Sequence, residues 1–111
     1  MPSVVFLPWI HDPHPDHKNL ADAALIVFRD SDNIFMYRSN WYQSTEYFNA
    51  NCFVDITNFW KIKKKSIQCH KSELKRTHRK WISFFYNEAL NAGQKIGVKL
   101  AETFLVVKSL K

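Results

Sequence analysis

Residues 3–38 read SVVFLPWIHDPHPDHKNLADAALIVFRDSDNIFMYR, and the change of hydrophobic period inside this stretch decides the fold. Ser3–Leu7 is a run of β-branched and aromatic residues closed by Pro8, the pattern of a short buried strand. From Pro15 the period becomes helical: Leu20, Ala24 and Val27 stand at i, i+4 and i+7, with Ala21, Leu25 and Phe28 on the neighbouring rows. A proline at the first helical position and Asp16 in the first turn both favour a helix start there. RDSDN, residues 29–33, breaks the helix, and Ile34–Arg38 reads as a second strand. Strand, helix and strand in that order predict an α/β layer with a partly parallel sheet.

Working outward, SNWYQSTEYFNAN (39–51) has no clean period and reads as a long surface loop. Its Trp41, Tyr42, Tyr47 and Phe48 suit either stacking on a sugar or covering the core, and both readings stay open. CFVDIT (52–57) is a short extended piece whose Asp55 or Thr57 can cap a helix over 58–71. A third helix is expected next, its apolar stripe running through Leu74, His78, Trp81, Ile82, Phe85, Ala89, Ala92 and Ile96, with Gly93 and Gly97 at a fraying end. ETFLVVK (102–108) supplies the last strand. Trp60, Trp81, Phe84 and Phe85 fall on helical spacing and are expected in the core or an interface. His78 on the stripe is expected to be a structural histidine, and His70 has no derivable role. The expected architecture is one α/β domain over residues 1–111, its sheet flanked by helices and small enough for its edge strands to want a partner surface.

At 111 residues, 46% of them apolar and 15% aromatic, with only six Gly and Pro in all, the chain can build one core and is not expected to be disordered. The apolar N-terminal stretch is too short to span a bilayer and has no basic leader, so neither a signal peptide nor a membrane span is expected. Cys52 and Cys69 have no partner motif and are read as small buried hydrophobes in a reducing cytoplasm. The net charge of +6 is concentrated in KIKKK (61–65) and KSELKRTHRK (71–80). Solvated helix faces explain such runs, and attraction for phosphates or an anionic membrane surface is the alternative. Nucleic acid is not expected as a partner, because no RNP, zinc-finger or helix-turn-helix signature accompanies the charge.

The chemistry-bearing cluster is HDPHPDH, with His11, Asp12, His14, Asp16 and His17 in seven positions. His14 and His17 are three apart at a helix start and can lie near one face, at the rim where open α/β sheets place ligands. Neutral imidazoles bind zinc, and Asp12 and Asp16 are available as carboxylate partners that fix the tautomer. Spacing alone leaves the cluster equally readable as a polar helix start, since a catalytic zinc needs three protein ligands and an open position.

DPHPDHKN (12–19) resembles the second conserved motif of the PIG-L/LmbE family of zinc-dependent N-deacetylases. VDITNFWKIKKKSIQCHKSE (54–73) is similar to that family's VDIT, lysine-bearing helix and H-K-S-Q ending, and GVKLAETF (97–104) to its closing AE-x-F segment. The resemblance implies a three-layer Rossmann-like fold in which His17 is a zinc ligand, His14 stabilises the oxyanion of the tetrahedral intermediate and Asp16 orients His14. The implied reaction is hydrolysis of an N-acetyl group by zinc-activated water, often on a glucosamine unit. Trp41 and Tyr42 are the candidates beside the sugar from their place in the loop near the rim, not from the resemblance. Two departures, Glu73 for the usual Gln and Asn58 for a common acidic residue, fall outside the implied site.

The family's first motif, H-P-D-D-E, supplies two more zinc ligands and the general base, and no such run occurs within these 111 residues. What is present matches the C-terminal half of the family's fold. The chain by itself is therefore expected to be inactive and to need a complementing N-terminal polypeptide. The alternatives are a truncated interaction module that self-associates, or an anion-binding module built on the basic helices.

Overall fold

The computed structural model describes residues 1–111. It is a mixed α/β fold with four strands, β1 (Val4–Pro8), β2 (Asn33–Tyr37), β3 (Cys52–Asp55) and β4 (Ala101–Ser109), and four helices, α1 (Pro15–Val27), α2 (Trp60–Gln68), α3 (Lys71–Arg76) and α4 (Lys80–Ile96). The strands form one partly parallel sheet in the order β1-β2-β4-β3, flanked by helices. β1 runs parallel to β2 in register from Val4 opposite Asn33 to Pro8 opposite Tyr37. β2 pairs antiparallel with β4, with a register shift between Ile34 and Phe35. Pro8 closes an edge strand, where a missing N–H costs no ladder bond.

The chain divides into two compact units, residues 1–52 with 103–111, and residues 53–102. In the first, α1 lies on one sheet face and its two small buried residues, Ala21 and Ala24, meet Leu7, Trp9, Ile34 and Met36. Burying each of the large aliphatic side chains contributes about 1.5–3 kcal/mol. The inward row of α1 is Ala21, Ala24, Leu25 and Phe28. Leu20 and Val27, expected on that row, are more than half exposed together with Ile26, so the helix is rotated toward its alanines and leaves an apolar outer face. Trp9 is 2% exposed, and its N–H donates to Tyr37 O at 2.8 Å beyond the end of the ladder. The opposite sheet face carries Phe6 stacked on Phe35 at 5.4 Å and tilted on Phe104 at 5.3 Å.

In the second unit Ile56, Ala89 and Leu100 form a core with Trp60, Tyr86 and Leu90 packed against it. The Asp55 side chain accepts from the N–H and the hydroxyl of Thr57 and so starts a 3-10 turn over Thr57–Phe59; α2 itself begins after Phe59 with no side-chain cap. The single third helix expected from the apolar stripe is two helices, α3 and α4, separated at 77–79. Thr77 ends α3 by donating its hydroxyl to Glu73 O at 2.8 Å, and His78 and Arg79 take left-handed φ values of 50° and 64°. His78 is accordingly an exposed turn residue and not a structural histidine on a helical stripe. Gly93 does not fray the helix: a Cβ there would stand 2.5 Å from the carbonyl oxygens of Val98 and Lys99, so this glycine permits a close backbone approach. Gly97, at φ 79°, is the left-handed residue that ends α4. Both cysteines are free thiols, and Cys69 is exposed, with its Sγ 3.3 Å from Lys65 O, in place of the buried position expected for it. No helix is long and apolar enough to cross a membrane.

Candidate functional site

The site is organised by two X-Pro steps. Pro13 and Pro15 bias the residues before them toward extended backbone, and His14 obeys with φ −78° and ψ 122°. That conformation makes His14 the N-cap of α1, with Pro15 just inside the helix. Its ring serves as the cap acceptor: Nδ1 accepts the N–H of Asp16 at 3.1 Å. A ring nitrogen that accepts is unprotonated, so a neutral His14 carries its proton on Nε2 and presents an N–H donor away from the helix.

Asp12 is the buried hub. Its side chain is fully shielded, and a carboxylate in that setting is tolerated only when its lone pairs are taken up. Oδ1 accepts the backbone N–H of His14 at 2.8 Å and the amide of Asn40 at 2.5 Å. Oδ2 lies 3.1 Å from Nδ1 of His17. Because a carboxylate only accepts, Nδ1 of His17 is a protonated nitrogen, and a neutral His17 carries its lone pair on Nε2. The carboxylate–histidine pairing is the one that orients a metal-bound imidazole and raises its basicity. His17 sits at the third helical position, one turn from the cap, and its ring stacks on His14 with centroids 4.7 Å apart and planes 19° apart. The cluster thus offers one N–H donor from His14 beside one lone pair from His17.

Asp16 is exposed and reaches His14 through its backbone N–H, not through its carboxylate. Tyr42 is tied down by its backbone, its N–H donating to Asn40 Oδ1 at 3.1 Å and its carbonyl accepting from Arg38, while its ring is exposed. Trp41 is half-buried. Phe48 packs on Trp9 at 5.3 Å and joins the core, whereas Tyr47 is exposed. His11 is exposed, with its ring edge-on to Trp9 at 5.6 Å. Arg38 lies over the same indole at 5.6 Å.

Asn40 went unnoticed in the sequence. It lies in an aperiodic loop 28 residues from the carboxylate it holds, and nothing in its neighbours SNWYQ distinguishes it from a turn residue. Asp12 was legible as a carboxylate partner, and the Asp-Pro step that starts its turn is a local signal. No group of three or more His, Cys, Asp or Glu side chains is placed to hold a metal ion. Both oxygens of Asp12 and Nδ1 of His14 are engaged within the cluster, so these residues fit zinc as a single ligand, His17 Nε2, and not as a complete site. No protein-family model and no curated protein matches this chain.

Proposed function

We propose that the chain is the C-terminal part of a PIG-L/LmbE-like N-deacetylase with a three-layer Rossmann-like fold, acting on an N-acetylated sugar or glycoconjugate once a polypeptide carrying the H-P-D-D-E motif joins it. One observation carries the reading: Asp12 holds His17 with its Nε2 lone pair free, while the cap bond holds His14 in the opposite tautomer beside it. Zinc, when bound, supplies a polarised water at neutral pH. His17 Nε2 serves as one ligand, and His14 Nε2–H stands ready to donate to negative charge developing on the acyl oxygen. Asn40 anchors Asp12, which keeps the His17 ring from turning, and the Asp16 N–H does the same for the His14 ring. In this reading Trp41 and Tyr42 contact the sugar.

The outer face of α1, with Leu20, Ile26 and Val27 exposed, and the unpaired edge of β1 support a covering layer supplied by further sequence or by another polypeptide. The same surfaces favour the second reading, a non-catalytic module that self-associates. Zinc equilibrium dialysis separates the two readings. In the deacetylase reading, a mixture with the family's N-terminal half binds one zinc per complex and His17→Ala weakens it by at least about tenfold, whereas the chain alone retains none. Equal zinc affinity of the wild-type and His17→Ala mixtures overturns the assignment.

A further inference from the structure

The charge of this protein is not spread over it. Residues 53–102 hold eleven Lys and Arg against four Asp and Glu, a net +7, whereas the remaining residues hold five against six, a net −1. Most of the excess has no part in the site proposed above. Within this basic unit an open cleft of about 390 Å³ is lined by Trp60, Lys64, Arg79, Ile82, Ser83 and Tyr86. Its apolar wall is aromatic, with Trp60 and Tyr86 edge-to-face at 5.0 Å. Its polar lining includes two cations, Lys64 and Arg79, and the Ser83 hydroxyl.

Of the nine other cations of the unit, two are neutralised where they stand, Lys63 by Glu102 at 2.7 Å and Arg76 by Glu73 at 2.5 Å, and seven are unpaired but lie outside the cleft. Lys64 and Arg79 have no carboxylate within ion-pair distance. Arg79 also reaches the cleft from a costly backbone, the second of two consecutive non-glycine residues with positive φ. Two unneutralised cations beside an aromatic wall match a ligand that joins a compact anion to a ring. Arginine and lysine bind phosphate oxygens through charge-assisted hydrogen bonds, and Trp and Tyr present flat surfaces to sugars and bases.

We propose that this cleft is a binding site for a phosphate ester carried on a ring, Lys64 and Arg79 holding the phosphate and Trp60 and Tyr86 the ring. A sugar phosphate and a mononucleotide share that chemistry, and titration distinguishes them. The full chain is titrated with glucose 6-phosphate, AMP, glucose, adenosine and inorganic phosphate, following the indole N–H signals by NMR. At least one phosphorylated compound is expected to move the Trp60 signal with a Kd below about 1 mM, at least about tenfold tighter than its parent and than inorganic phosphate. Whichever binds tighter names the ring.

Lys64→Ala and Arg79→Gly are each expected to weaken that binding by about tenfold or more. Glycine suits the left-handed backbone at residue 79, so Arg79→Gly removes the guanidinium without unfolding the turn, which circular dichroism checks. Lys65→Ala, an exposed lysine outside the cleft, is expected to bind like wild type. The proposal is overturned if neither phosphorylated ring exceeds inorganic phosphate, if Lys64→Ala and Arg79→Gly bind normally, or if Lys65→Ala loses as much as they do.

Discussion

Asp12 is the residue on which the site's geometry depends, and two substitutions at it separate packing from chemistry. Asp12→Ala leaves the buried Asn40 amide and the part-buried His14 N–H without their acceptor. A buried donor stripped of its partner costs about 1–3 kcal/mol, so the pair is expected to cost about 2–4 kcal/mol, a large share of the roughly 5–15 kcal/mol that holds an ordinary domain together. With a urea slope of about 1–3 kcal/mol per molar, the unfolding midpoint falls by roughly 1–2 M. Asp12→Asn is different, because its amide oxygen can still accept both bonds and its stability cost stays below about 1 kcal/mol. Its NH2, however, then faces Nδ1 of His17 where the second carboxylate oxygen stood. Nδ1 must become the acceptor and the proton moves to Nε2, which removes the lone pair offered to a metal. Urea titration reads the first effect, and long-range proton–nitrogen NMR of the imidazoles reads the second. An Asp12→Ala loss below about 0.5 kcal/mol, or an Asp12→Asn variant whose His17 keeps its proton on Nδ1, would refute this reasoning.

The two glycines of α4 are expected to separate sharply. Gly93→Ala drives a Cβ into two backbone carbonyls and costs about 3 kcal/mol or more, whereas Gly97→Ala has open space and pays only about 1 kcal/mol for its left-handed φ; melting temperatures should rank them so. His78→Gly relieves a left-handed, exposed histidine and is expected to stabilise the chain by up to about 1 kcal/mol in urea. Hydrogen bonds from the Thr57 hydroxyl and then the Thr57 N–H hold the Asp55 carboxyl below its ordinary 3.8. A carboxyl lowered in the folded state stabilises above that value and loses its contribution as the pH falls through the lower folded one. Asp55→Asn is therefore expected to lower stability modestly at neutral pH and to flatten the acid limb below pH 3.8, so that its profile and the wild-type one converge at low pH.

The alternation of periods in residues 3–38 made β1, α1 and β2 legible, because strand and helix periodicities differ and Pro15 marks the change. The rotation of α1 was not legible, since two parallel rows, Leu20–Val27 and Ala21–Phe28, are both apolar and only packing chooses the smaller one. The break at 77–79 was hidden because the apolar stripe resumes at Trp81 almost in phase and the turn uses His78 and Arg79 where a glycine would have announced it. At the site, the local pieces were readable: a proline-set cap and a carboxylate five residues from His17. The non-local piece, Asn40, has no period and no motif; only the fold brings it to Asp12.

The most direct measurement is acetate release from an N-acetylglucosaminide, with zinc present, by this chain alone and by its mixture with a polypeptide carrying the family's H-P-D-D-E half. A complementing deacetylase part gives acetate only in the mixture, and His14→Ala or His17→Ala abolishes it. Acetate from the 111-residue chain alone, or none from a mixture shown to form a complex, would contradict the assignment.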